Sequence, residues 1–489
     1  MSCGSHEARQ TVPGLLRVGS DGRMLVHQDG TPFLWIGDTA WSLFSRSRRE
    51  DTESDRAADR YFENRAAKGF TVIQTHILTN LVRGPIDAPN VYGHVPFEDG
   101  DFTRPRTIPG PANDYWDHAD YLIRSAAGRG LYLAIIAAWT NSFQSDDHPM
   151  VANPEVAYRY GHFLGDRYRE NTHIIWILGG DPKRERMADN PLRLSMTRAL
   201  AEGIADGVNG EDDFDGKADY TTSLMSYHPG GGNRSSSTFL HEEPWLDFNM
   251  IQTTTRHRFR NYQTVAADYA RSPAKPTFDC EVAYEYSLSL SKGEREGAPA
   301  SRISPWEVRR AAYWNLFAGG CGHTYGHRSF IGWVISDEEP LRYGADKPWF
   351  ESLDAPGARQ MGYVRRLIES RPVLGRIPDQ SLVVGDAGEF EERVQATRAQ
   401  DGTYAFIYVT NGRTFTIDLS RLSGKQVRAW WFDPRNGSAC DALGRPAERA
   451  FAEYPADAPQ TFTPPSSGED NDWVLILDDV SSEYGVPGA

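Results

Sequence analysis

Residues 174–181 read IIWILGGD, a short unbroken apolar run ending in two glycines and a carboxylate. A strand with one wet face would alternate. A strand buried on both faces reads like this one, as in a parallel sheet covered by helices. The same grammar recurs outward in both directions. Candidate strands fall at 33–37, 71–77, 131–138, 174–178, 220–226, 248–252, 276–281 and 321–325. Helix signals lie between them. Asn153 precedes Pro154, Asn190 precedes Pro191, and Asp114 opens a segment with Ala119, Leu122, Ile123 and Ala126 on one face. Ser304 and Glu307 form a capping box around Pro305. Eight such strands with intervening helices predict an α/β fold, a (β/α)8 TIM barrel with insertions over residues 14–372. A doubly wound sheet is the alternative, but no GxGxxG opens any helix.

The flanks differ in style. Residues 1–13 read as a disordered tail, and two Asp-Gly turn signals make 14–33 a β-hairpin. After Arg371-Pro372 the helical pattern stops. Short strands with Gly, Asn and Asp turns follow, among them QVRAWWFDPRNG and DWVLILDD, and predict an all-β sandwich domain over 376–480.

The chain has 489 residues, with 52 Lys and Arg against 67 Asp and Glu, a formal net charge of −15. That balance argues against nucleic acid or an anionic membrane as partner, since both want a basic patch. There is no apolar run of about 18 residues, so no transmembrane segment is expected. The four cysteines form no CxxC pair, which removes a zinc knuckle or redox motif. Cys3, in Met-Ser-Cys-Gly, is the candidate lipid anchor. On that reading a secreted, periplasmic or anchored bacterial protein is favoured over a cytoplasmic one.

Reactive groups of a TIM barrel sit at the C-terminal ends of its strands. Those ends carry Asp38 with Trp41, Gln74 and His76, Trp139 with Asn141, Asp181, Tyr227 and His228, Gln252, Glu281 with Tyr284, and His323 with Tyr325. Asp181 and Glu281 follow the fourth and seventh strands and so face each other across the mouth. Two carboxylates across a pocket are the equipment for glycoside hydrolysis: one protonated to serve the leaving oxygen, one ionised to attack or activate water. Glu285 competes with Glu281. Asp279, taken to point to the other side of its strand, is the weaker candidate. His241, Glu242 and Glu243 are adjacent and do not converge on one metal ion, so neither metal nor cofactor is expected. Trp139, Trp245 and Trp349 are candidate sugar platforms, with core packing as their alternative.

At FLWIGDTAW (33–41), Gly179-Gly180-Asp181, Tyr227-His228-Pro229, WLDFNMIQ (245–252), Lys275 to Glu281 and GHTYG (322–326), the chain resembles the apiosidase-like domain of glycoside hydrolase family 140. Its tail is similar to the β module that usually follows, one named for collagen binding. The resemblance covers about residues 14–480. It implies a retaining mechanism with Asp181 as acid/base and Glu281 as nucleophile, and release of an apiose-like furanose from a glycan. Val282 stands where the pattern has Pro, and Thr253-Thr254-Thr255 where it has Ser-Gly-His, which leaves the sugar open. A binding protein that kept its pocket, and a transglycosylase, are the alternatives. If the enzyme is retaining, the two carboxyl groups lie about 5–5.5 Å apart, against roughly 6.5–9.5 Å in an inverting one.

Overall fold

The apolar runs become strands because neither of their faces meets water. β1 (Trp35–Thr39), β2 (Val72–His76), β3 (Tyr132–Ile136), β4 (Ile174–Ile177), β5 (Leu224–Ser226), β6 (Asn249–Gln252), β7 (Thr277–Glu281) and β8 (Gly322–Gly326) are buried almost throughout. The structure, a computed structural model, describes residues 14–49, 57–78, 88–139, 153–180, 191–232, 234–253, 259–288, 301–334, 345 and 347–489.

A parallel ladder runs β8-β1-β2-β3-β4-β5, and a second joins β6 to β7. Other groups bridge the two seams. Between β5 and β6, Met225 N donates to Asp247 Oδ2 at 2.7 Å, and Ser226 Oγ donates to the Phe248 carbonyl at 2.6 Å. Between β7 and β8, Cys321 N donates to the Thr277 carbonyl at 2.9 Å. This is the (β/α)8 barrel. Its inside is packed, not hollow: Trp35 lies 4.8 Å from the Phe278 ring and 5.8 Å from the Phe248 ring, and its indole N–H donates to Thr324 Oγ1 at 3.0 Å.

The fifth strand is shorter than its sequence suggests. Residues Tyr220–Thr222 form a 3-10 turn instead, because the Asp219 side chain accepts from Thr221 N and takes that backbone away from a ladder. Three of the expected helix caps are in place, and Asn190 lies outside the described residues. Asp114 accepts from Asp117 N, Asn153 from Glu155 N, and the Ser304–Glu307 box is complete.

The helices around the ring are α1 (Ala58–Ala67), α2 (Tyr115–Ala127), α3 (Pro154–Tyr168), α4 (Pro191–Asn209), α5 (Asn261–Tyr269), α6 (Pro305–Phe317) and α7 (Pro356–Glu369). Helices α3 and α4 touch backbone to backbone. A Cβ on Gly165 would sit 2.2 Å from the Ile204 carbonyl oxygen, and one on Gly203 would sit 2.2 Å from that of Tyr158. Among the described residues no helix is long and apolar enough to cross a membrane. The N-terminal hairpin pairs Leu16–Val18 with Leu25–His27, which in turn pairs with Pro32–Phe33.

The C-terminal module is antiparallel. Its main sheet runs in the order β9 (Arg376–Pro378), β10 (Val394–Ala399), β11 (Tyr404–Val409), β14 (Trp473–Asp479), β12 (Gln426–Asp433) and β13 (Ser438–Cys440). One face, with Ile407, Trp431 and Leu475, packs on a small second sheet through Phe415, Ile417 and Phe462. The other face joins the barrel core. Tyr408 stacks on Tyr313 of α6 at 4.7 Å, and Phe406 on Phe317 at 6.0 Å. Arg309 of α6 grips Asp472 with bonds of 3.1 and 2.7 Å, and Arg371 grips Asp478 with bonds of 2.8 and 2.7 Å. Both pairs are buried. Removing one partner strands the other charge, so Asp472→Ala should cost about 3–5 kcal/mol. Calorimetry should show barrel and sheet unfolding in one transition in the wild type; two separate transitions would disprove the shared core.

Candidate active site

Alternation along each strand sends polar residues two ways. Some enter the helix layer. Tyr61 of α1 donates to Asp38 Oδ2 at 2.7 Å, and Arg65 approaches the same oxygen at 3.4 Å. Burial still pushes the Asp38 carboxyl up to about 6, against the opposing pull of Arg65 and Tyr61. Tyr325 donates to Glu285 Oε2 at 2.6 Å, and Gly357 N at the start of α7 donates to Oε1 at 3.2 Å. His323 is held by Asn315 of α6 at 3.1 Å. Asp38, His323 and Tyr325, expected as sugar contacts, are thus placed behind the sheet, because each sits at an outward position of the pleat. Glu285, the rival nucleophile, is 3% exposed and committed to the same layer.

Other strand ends converge inside the mouth. Trp41 and Trp139 lie 5.3 Å apart, with His228 5.4 Å from Trp41 and 5.7 Å from Trp139, and His76 6.1 Å from Trp139. Glu281 closes the group: its Oε2 lies 3.3 Å from His228 Nε2, and its side chain is 12% exposed. Gln252 stands beside Glu281 in the ladder. Tyr284 packs its ring on Gly326, where a Cβ would sit 2.1 Å from that ring. Burial, then the Glu281 charge, holds its hydroxyl well above the usual range. Tyr227 is buried at the end of β5. Gly180, after β4, has no room for a Cβ, which would meet the Trp139 ring at 2.7 Å. Asp181, Asn141 and Cys3 lie outside the described residues.

Asp279 shows what the sequence could not. Residues two apart on a regular strand share a face, so alternation alone would put Asp279 beside Glu281. The register between β6 and β7 shifts, with Ile251 opposite Asp279 but Gln252 opposite Glu281. Cys280 is the extra residue, and the chain behind it turns through Ala283 at φ 38°. Asp279 therefore stays in the helix layer, accepting from Thr253 Oγ1 at 2.6 Å, with burial pushing its carboxyl up to about 8. Glu281 is re-aimed into the mouth.

Several polar atoms of the mouth have no partner among the described residues. Both ring nitrogens of His76, Gln252 Oε1, Gln74 Oε1 and the Tyr284 hydroxyl are buried without a hydrogen bond among the described residues. Burial holds His76 neutral, its pKa down at about 3. Gln74 lines the mouth as its place on the second strand suggested. Thr39 and the Cys280 thiol also line it and were not picked out from sequence, because nothing in their spacing distinguishes them from core. Trp245 and Trp349 are fully buried and Trp349 stacks on Trp333 at 4.4 Å, so both pack as core. Among the described residues no His, Cys, Asp and Glu group could hold a metal ion. His241 and Glu243 are engaged elsewhere, with the Pro273 carbonyl and Arg198.

Residues 19–375 match the family described as "Apiosidase-like, catalytic domain", and residues 377–478 match "Putative collagen-binding domain of a collagenase". A solved structure titled "Glycoside hydrolase" is 32% identical, with 96% of this chain and 98% of that one covered and a TM-score of 0.81. A glycoside hydrolase family 5 structure from Bacteroides vulgatus ATCC 8482 is 31% identical, covering 98% and 96%, also at 0.81. No curated protein matches. Barrel, cup and relatives together define a glycoside hydrolase, whose substrate is a carbohydrate. Within that class, the chain belongs to the apiosidase-like family.

Two predictions follow from the buried groups. Asp279 has a raised value in the folded state, so its contribution to stability is full below about pH 4 and lost as pH climbs through about 8. The stability of Asp279→Asn, read from thermal unfolding, should therefore gain on the wild type between pH 4 and pH 8, by at most about 6 kcal/mol over roughly four units at about 1.4 kcal/mol each. Gly326→Ala should push the Tyr284 ring off its seat, costing about 1–3 kcal/mol in stability and lowering turnover.

Proposed function

We propose that the protein is a retaining, exo-acting glycoside hydrolase that releases a terminal, apiose-like furanose from a plant or microbial glycan. The observation that carries this reading is Glu281: the one carboxylate that β7 turns into the cup, beside His228 and beneath Trp41 and Trp139. Glu281 attacks the anomeric carbon as the glycosidic C–O bond breaks. Asp181, which follows Gly180 directly, gives its proton to the leaving oxygen. Water then attacks the glycosyl-enzyme, Asp181 takes the proton back, and Glu281 is released.

Aromatic walls suit the apolar C–H face of a sugar, and the unpartnered His76, Gln252 and Tyr284 groups suit its hydroxyls. The family supports the apiose-like sugar; Val282 and the Thr253–Thr255 run mark where this chain could differ.

The test is hydrolysis of pectin-derived and furanoside-containing glycans by wild type, Asp181→Asn and Glu281→Gln. Wild type should release a monosaccharide, and each variant should lose about 1,000-fold or more in kcat/KM. Variants that match wild type would remove both assignments. Proton NMR of the first product should show the anomeric configuration retained; an inverted product would disprove double displacement.

A further inference from the structure

The ring of His228 is fully buried, and its two nitrogens face the Pro229 carbonyl on one side and Glu281 with Cys280 on the other. Nδ1 lies 2.9 Å from the Pro229 carbonyl oxygen, which only accepts, so Nδ1 carries a hydrogen. Nε2 lies 3.3 Å from Glu281 Oε2. A carboxylate able to attack carbon is ionised and also only accepts. A bare Nε2 would set lone pair against lone pair across that contact, with the nitrogen itself buried. Nε2 therefore either carries a hydrogen and pairs with Glu281, or stays bare, takes the Cys280 S–H and repels the carboxylate beside it.

We infer that His228 is a positioning residue, a buried imidazolium that pairs with Glu281 and holds it aimed into the cup, and that it is not a contact for sugar hydroxyls. This rests on the reading of Glu281 as nucleophile.

The surroundings fit a charged ring. The Trp41 and Trp139 ring centroids lie 5.4 and 5.7 Å away, within reach of a cation–π attraction. Gly179 at the end of β4 accepts from the His228 backbone N at 3.1 Å and fixes where the ring hangs. The titratable groups facing it among the described residues are Cys280 and Glu281, both on β7. Burial opposes charge on His228, but Cys280 and Glu281 outweigh it and hold the imidazole well above its usual range. Burial also pushes the Cys280 thiol up, while His228 beside it pulls the other way. His76, one Trp ring away, shows the contrast. It is equally buried with no carboxylate beside it among the described residues, and burial holds it neutral.

The experiment is imidazole nitrogen NMR on the full-length wild type labelled at histidine, at pH 8, without any glycan. His228 is assigned by the resonance missing from His228→Gln and shifted in Glu281→Gln; the second variant suffices if the first does not fold. The expected result is a ring with both nitrogens protonated in wild type, whose titration midpoint falls by about two units or more in Glu281→Gln. A neutral ring in wild type at pH 8 overturns the inference even if the enzyme cleaves glycans. A charged ring in a protein that cleaves nothing in the screen leaves the ion pair standing and overturns the nucleophile it was said to serve.

Kinetics on the released substrate separates positioning from binding. His228→Gln should lower kcat and kcat/KM together by about 100-fold, with KM within roughly twofold. A raised KM with kcat unchanged would make His228 a sugar contact and overturn the proposal.

Discussion

A strand in a filled barrel has no wet side, and the placement of every polar residue follows from that. Side chains pointing in meet Trp35, Phe248 and Phe278; those pointing out meet the helices. A buried charge must therefore find a partner or lie at the open end of the ring. Asp38 finds Tyr61 and Arg65, Glu285 finds Tyr325 and the start of α7, and Asp279 finds Thr253. At the mouth lie groups without such a partner among the described residues, His76, Gln252 and Tyr284, with Glu281 beside His228. The division between structural and chemical polar groups is drawn by which face of the pleat a residue occupies.

The C-terminal sheet is part of the same economy. Its second face would expose Tyr404, Phe406, Tyr408 and Trp430 to water if it stood alone, and α6 and α7 would lose their outer packing. The two buried arginine–carboxylate pairs fix the orientation of one unit on the other. A module whose broad aromatic face is spent on the barrel acts as a buttress for α6, whose Asn315 in turn holds His323 and Asp279 in the helix layer behind the site. Its Trp430-Trp431 pair is divided between the two cores.

Much of this was legible in one dimension. Continuous apolar runs identified the eight strands, since burial on both faces removes the alternation that marks a half-wet strand. The caps at Asp114, Asn153 and Ser304 were legible because an N-cap is a local bond between a side chain and backbone two or three residues on. The extent of the fifth strand was not, because Asp219 competes for the same backbone. Nor was the α3–α4 contact: its glycines lie some forty residues apart, and only the packed pair shows that a Cβ would strike backbone.

The site divides the same way. The sequence by itself determined which residues end each strand, because strand length is set by the apolar run. That was enough to single out Glu281 and to name His228, Trp41 and Trp139 among its neighbours. Only the tertiary structure decided which way each of them points. Asp38, His323 and Tyr325 end strands as plainly as His76 does, yet they face outward. Asp279 and Glu281 share a face until one extra residue at Cys280 separates them. A register shift depends on what the neighbouring strand does, and no local pattern in the chain encodes it.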